Sequence, residues 1–97
     1  MIRYTTPTIQ IQVVDVDLSA FDSIYVSISQ MGVDIEIVDP TIEGDTLNVF
    51  LTQEQTAQFS RSFPAMVQVN AMKDGKRYAS EMMTLDIDDN LLRRVIP

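Results

Sequence analysis

The chain has 97 residues, 45% of them hydrophobic, with fourteen acidic and seven basic side chains and a formal charge of −7. That composition excludes wholesale disorder and supplies one modest core, too little for two domains. Histidine and cysteine are both absent, which removes the usual general base, the reactive thiol, any disulfide and nearly every transition-metal ligand.

The charge is uneven. Residues 1–50 carry Asp15, Asp17, Asp22, Asp34, Glu36, Asp39, Glu43 and Asp45 against Arg3 alone, whereas residues 51–97 balance six acids with six bases. An acidic surface repels phosphate backbones, so no nucleic-acid partner is expected, and the acids read as solubilising. No run approaches the roughly eighteen apolar residues of a membrane span, and MIRYTTPTIQ lacks the apolar stretch of a signal peptide. The expectation is synthesis and folding in the cytoplasm, with no membrane partner.

Residues 1–7 read as a lead-in ending at Pro7. From Thr8, the residues Ile9, Ile11 and Val13 alternate with Gln10 and Gln12, the period of a half-buried strand. Val14 to Leu18 reads either as its continuation or as a connector, and Ser19-Ala20-Phe21 is expected to plug one end of the core. Ser23 to Met31 predicts a second strand, with Ile24, Val26 and Ile28 on one face and Tyr25, Ser27 and Ser29 on the other. Met31-Gly32 turns the chain into Val33–Ile37, whose acids face those serines on a wet outer surface. Asp39-Pro40 ends that strand and Glu43-Gly44-Asp45 makes the next turn. Leu47, Val49 and Leu51 then form an inward face, with Phe50 outward. Thr52-Gln53-Glu54-Gln55 is a capping box, predicting one or two helical turns through Phe59 with Ala57 or Phe59 folded under the sheet.

Pro64 to Ile87 reads as two strand-forming runs joined at Asp74-Gly75, a strong hairpin signal because glycine accepts the positive φ of a tight turn. Val67, Val69 and Ala71 share one face of the first run. Two registers are open. A loop of Asp74 and Gly75 alone sets Lys73 opposite Lys76 and puts Tyr78, Ser80 and Met82 with the valines. A loop that includes Lys73 moves the register by one, so that Ala79, Met83, Leu85 and Ile87 join them, with Glu81 turned inward unless a bulge intervenes. The second register buries more apolar side chains and is the expected one.

Asp88 to Ile96 has acids first and arginines last, matching a helix dipole, and predicts a short C-terminal helix with Leu91, Leu92, Val95 and Ile96 on one face. Such a helix is marginal alone and needs something to pack on. Six or seven short strands with turn signals between them and one brief helical crossing predict an all-β antiparallel β-sandwich, a single domain over residues 1–97. With no cysteine pair and no tryptophan, an antibody-type domain proper is excluded and only the architecture is expected.

Chemistry-bearing constellations are missing. The only lysines, Lys73 and Lys76, flank a turn, and three glycines make no phosphate loop; no enzyme and no cofactor are expected. Asp86, Asp88 and Asp89, with Asp39 and Asp45, are oxygen ligands at strand ends, but they lack the glycine and distal glutamate of an EF-hand loop. They read as solvated turn residues or caps, and no metal is expected. The six methionines read as gap-fillers, except Met66 and Met72 on the outer face of their strand, an apolar patch suited to a partner. The first strand shows only glutamines on its polar face, where natural edges are blunted by charge. Ile9 and Ile11 of that strand, Met66, Met72, and Leu91, Leu92, Val95 and Ile96 of the tail are therefore the expected interaction residues. Self-association through the first strand or the tail is the expectation; the alternative is that the tail covers the chain's own first strand.

The Thr6–Thr8 TPT lead-in, Leu51-Thr52-Gln53-Glu54, the Asp74-Gly75 turn and Ala79-Ser80 together resemble a family of short prophage-encoded proteins of Gram-positive bacteria. These occur among tail and other minor structural genes. The resemblance implies an immunoglobulin-like sandwich and a non-enzymatic component of a phage-like particle, tail- or baseplate-type, with the particle's other structural proteins or copies of itself as partners and the virion as destination. It carries over no functional residue. The competing expectation is a freestanding protein- or carbohydrate-binding sandwich, although Tyr4, Tyr25 and Tyr78 are the only tyrosines and no tryptophan offers a sugar platform.

Overall fold

In the computed structural model, which describes residues 1–97, the chain runs through β1 (Thr8–Gln12), β2 (Ser23–Gln30), β3 (Val33–Val38), β4 (Thr41–Glu43) and β5 (Thr46–Phe50). A short helix α1 (Gln53–Ala57) follows, then β6 (Ala65–Lys73), β7 (Lys76–Ala79) and β8 (Met83–Leu85). One turn of 3₁₀ helix at Leu18–Ala20 precedes β2. No helix is long and apolar enough to cross a membrane.

The strands form two antiparallel sheets, a small one in the order β1-β5-β4 and a large one in the order β3-β2-β6, with β7 and β8 end to end along the far side of β6. The fold is an all-β sandwich. Its core is the inward half of each alternation: Ile11, Leu47, Val49 and Leu51 from the small sheet meet Ile24, Val26, Ile28, Ile35, Val67 and Val69 from the large one. The outward residues of β2 and β3 pair Ser29 with Asp34 and Ser27 with Glu36, the wet face that alternation predicts. β4 is an addition: after Pro40 only three residues pair, so the sequence showed a turn and no strand.

Each end of the core has its own closure. Leu18 and the half-buried Phe21 fill one end, while Phe59, 1% exposed, fills the other beneath α1. The capping box on α1 is complete, the Thr52 side chain accepting from Gln55 N–H and the Gln55 side chain from Thr52 N–H. Buried Thr56 accepts from Thr5 N–H at 3.1 Å and donates to Thr5 C=O at 2.9 Å, docking the lead-in on the helix. The buried amide of Gln30 donates to the carbonyls of Ser60 and Phe63 and accepts from Ser60 N–H, so the loop before β6 has its backbone groups satisfied.

The hairpin corrects the expected register. Lys73 pairs with Lys76 across a two-residue loop, in which Asp74 and Gly75 both have positive φ, 51° and 76°. That is the primed turn whose twist matches paired strands, and both lysines lie in solvent, where their repulsion is screened. The one-residue shift occurs further along. Asn70 pairs with Ala79, but Val67 pairs with Met83, so one extra residue is taken up in Ser80-Glu81-Met82. This bulge lets Met83, Leu85 and Ile87 reach the core while Glu81 stays exposed. Ser80 substitutes for the broken ladder: its N–H donates to Val69 C=O, and its hydroxyl accepts from Val69 N–H at 3.0 Å.

The C-terminal helix does not form. Residues after Asp88 carry bends and no helix, because their groups have other partners. Asp88 bridges Ile2, Asp89 pairs with Arg3, and the Asn90 side chain accepts from Leu92 N–H two residues on. Such an Asx turn competes directly with helical hydrogen bonding. Val14 to Asp17 is a connector, not a continuation of β1, and Asp15 in it adopts φ 62°.

Candidate interaction surfaces

β1 is an edge strand whose only strand partner is β5. The bonds Leu51 N–H to Pro7 C=O and Val13 N–H to Asp45 C=O bracket a ladder in which odd-numbered residues of β1 bond to β5. Antiparallel pairing alternates, so the N–H and C=O of Thr8, Gln10 and Gln12 point to the open side. Their side chains are exposed and uncharged. The other edges are blunted: β3 carries Asp34 and Glu36, β7 carries Lys76 and Arg77, and β4 and β8 are three residues each. The tail does not cover β1. Its backbone bridges the lead-in at Ile2 and Arg3, and its end meets α1. Of the expected interaction residues here, Ile11 is buried and Ile9 packs against the core, so their side chains build the sandwich, and the edge offers backbone groups instead.

On the outer face of the large sheet, Met66 is exposed and Met72 half-buried, but they stand six positions apart along β6, roughly 20 Å. They do not form one patch. Between β2, β3 and β6 lies an open hollow of ≈ 330 Å³ lined by Tyr25, Ser27, Glu36, Asn70, Met72 and Arg77 among others. Arg77 donates to the Asn70 side chain at 3.1 Å across its floor.

A second hollow, ≈ 260 Å³, is apolar and opens between the sheets where Val13, Val16, Leu18, Phe21, Val69 and Tyr78 converge. It exists because three strands cannot cover five. The inner face of β7 lies opposite the connector, not opposite a strand, leaving Tyr78 49% exposed with its ring edge-on to Phe21 at 5.9 Å. Asp17 caps the 3₁₀ turn that forms the hollow's wall. The hydroxyl and then the N–H of Ser19 donate to it and hold its carboxyl below the ordinary value. In the sequence Val13, Phe21, Val69 and Tyr78 read as strand or core residues and do not group as a site; the signal was Val14 and Val16 alternating with aspartates beyond the end of a strand.

The tail residues Leu91, Leu92, Val95 and Ile96 are all exposed, Leu91 completely. Only the Gln53 side chain holds the end, accepting from Ile96 N–H at 2.8 Å and donating to Ile96 C=O at 3.0 Å. The strand-end acids are dispersed among local partners: Asp39 accepts from Ile24 N–H, Asp45 from the Gln12 and Thr46 side chains, and Asp89 from Arg3. No three carboxylates group around a common point.

No family model, no curated protein and no solved structure matches the chain.

Proposed function

We propose that this protein is a non-enzymatic subunit that works by joining a larger assembly, an immunoglobulin-like sandwich acting as a tail- or baseplate-type minor structural protein of a phage or prophage particle. Its partners on this reading are further copies of itself and the particle's other structural proteins. The observation that supports it is the β1 edge: five residues long, uncharged, and directing the backbone groups of Thr8, Gln10 and Gln12 at nothing. Such an edge is a template for another strand.

Amide hydrogen exchange at low and high protein concentration tests this. The amides of Thr8, Gln10 and Gln12 exchange freely when dilute and become protected as concentration rises into the tens of micromolar range. Gln10→Pro removes an outward donor without breaking any bond to β5, and this protection is lost while the fold persists. Fast exchange at those three amides at every concentration, together with sedimentation as a monomer, defeats the reading.

A further inference from the structure

The apolar hollow and the apolar tail lie at opposite poles of the molecule. β1 and β6 run from the α1 pole to the hollow: Thr8 and Ala65 begin near α1 and the Ser60–Phe63 loop, while Val13 and Ala71 line the hollow. The tail is anchored at the α1 pole, where Arg3 binds both Asp89 and the Ala57 carbonyl. Residues 91–97 span at most about 24 Å fully extended, and β6 from Ala65 to Ala71 alone covers roughly 20 Å. Leu91 and Leu92, two and three residues beyond the Asp89 anchor, cannot cross that distance to the hollow of their own chain. A neighbour stacked end-on presents its hollow directly.

The chemistry of the two ends is complementary. Asp15, Asp17 and Asp22 are chain neighbours of the lining residues Val16, Leu18 and Phe21, all three exposed and with no ion pair on any of them. The tail sets Arg93 and Arg94 between two aliphatic pairs, Leu91-Leu92 and Val95-Ile96, and Arg94 has no acidic partner in its own chain. Lys73 is near enough to Asp17 to help hold its carboxyl below the ordinary value. Releasing the tail gives up two exposed hydrogen bonds to Gln53.

We infer that the tail Leu91–Ile96 of one copy inserts into the apolar hollow that Val16, Phe21 and Tyr78 line in the next, joining copies head to tail along their long axes. This rests on the assembly reading above and names a second contact within it. A heterologous contact of this kind does not close on itself in a dimer, so it generates chains or rings.

Two full-length variants, each carrying Gln10→Pro to silence edge pairing, provide the test by sedimentation with circular dichroism to verify folding. One has Tyr78→Asp in the hollow, and the other has Leu92→Asp with Val95→Asp in the tail. The Gln10→Pro parent forms species that grow beyond a dimer with concentration. Each variant alone is monomeric, and their equimolar mixture stops at a one-to-one dimer, since one supplies only a tail and the other only a hollow. If Tyr78→Asp does not fold, Val16→Asp on the exposed connector takes its place. A monomeric mixture overturns the inference, as does either variant associating like the parent. So does a mixture that stays monomeric while an apolar dye occupies the hollow, which assigns the hollow to another occupant. Failure of edge pairing appears separately, at the Thr8, Gln10 and Gln12 amides, and leaves the mixing result unchanged.

Discussion

The guanidinium of Arg3 lies 2.9 Å from the Asp89 carboxylate and 2.8 Å from the Ala57 carbonyl, fastening lead-in, helix and C-terminal segment at one point. The Asn90 N–H, and after it Arg3 and Arg93, hold the Asp89 carboxyl below its ordinary value of 3.8. A depressed carboxylate contributes stability that is complete above its unfolded pKa and is lost as pH falls through its folded one. Thermal melts should therefore hold steady down to about pH 5 and decline below about pH 4, and Asp89→Asn should flatten that decline. Arg3→Ala should lower Tm by several degrees and speed proteolysis after residue 89, since it frees both partners at once. An unchanged acid limb in Asp89→Asn would show that this carboxylate is not what titrates.

The alternation along β6 gives a sharper contrast. Val67 is buried, whereas Gln68 is half-exposed and donates to Ser80 C=O at 3.0 Å. Val67→Asp should abolish cooperative unfolding, because an unpaired buried charge costs several kcal/mol, comparable to the whole stability of a small domain. Gln68→Asp should cost about 1 kcal/mol, one hydrogen bond's worth. Denaturant titration of both variants measures the difference, and equal losses would contradict the assignment of faces.

At the turn, nothing lies within 4 Å of where a Gly75 Cβ would sit, yet its φ is 76°. Gly75→Ala therefore meets no clash and suffers only conformational strain, about 1–2 kcal/mol. Asp74→Asn should be neutral or slightly stabilising, because asparagine tolerates the left-handed region at least as well. Chemical denaturation of the two variants checks the order.

Ser80→Ala should destabilise by about 1–3 kcal/mol, since the Val69 N–H loses the hydroxyl that stands in for a ladder carbonyl. The loss should be local in its signature: faster exchange at the Val69 amide while amides of β2 and β3 keep their protection.

Millimolar calcium should leave Tm unchanged. Asp39, Asp45 and Asp89 already serve Ile24 N–H, the Gln12 side chain and Arg3, so no carboxylate set is free to converge on an ion. A ligand at a hundred times its Kd would add about 2.7 kcal/mol, a shift of several degrees.

Much of the sandwich was legible because its strands alternate strictly: Ile24-Val26-Ile28 and Leu47-Val49-Leu51 face inward as their period demands. The capping box at Thr52 was legible for the same local reason. The hairpin was half legible. Asp74-Gly75 specified the turn, but the burial of Met83 and Leu85 pointed to a register shift whose position, at Ser80, is set by a side-chain hydroxyl replacing a backbone partner. The tail misled because charge order favours a helix there, while Asn90 diverts the Leu92 N–H and Arg3 diverts Asp89, contacts that exist only once distant segments meet. The apolar hollow was out of reach for a different reason. It arises from the mismatch between a three-stranded and a five-stranded sheet, and strand order is not written in any local pattern.

The bridge between Ile2 and Asp88 bears on how the molecule is made. As the chain leaves the ribosome, the β2–β3 hairpin has both its arms first, β1 waits for Thr46–Phe50, and β2 waits again for Ala65–Lys73. Ile2 waits longest, for a residue 86 positions later. At a translation rate of about 5–20 residues per second, the opening residues spend seconds unpaired while the rest of the sandwich can already close. Their docking therefore comes only after Asp88 has been made. A product stopped short of Asp88 keeps Ile2 unbridged and leaves Arg3 without Asp89, a frayed end open to proteolysis.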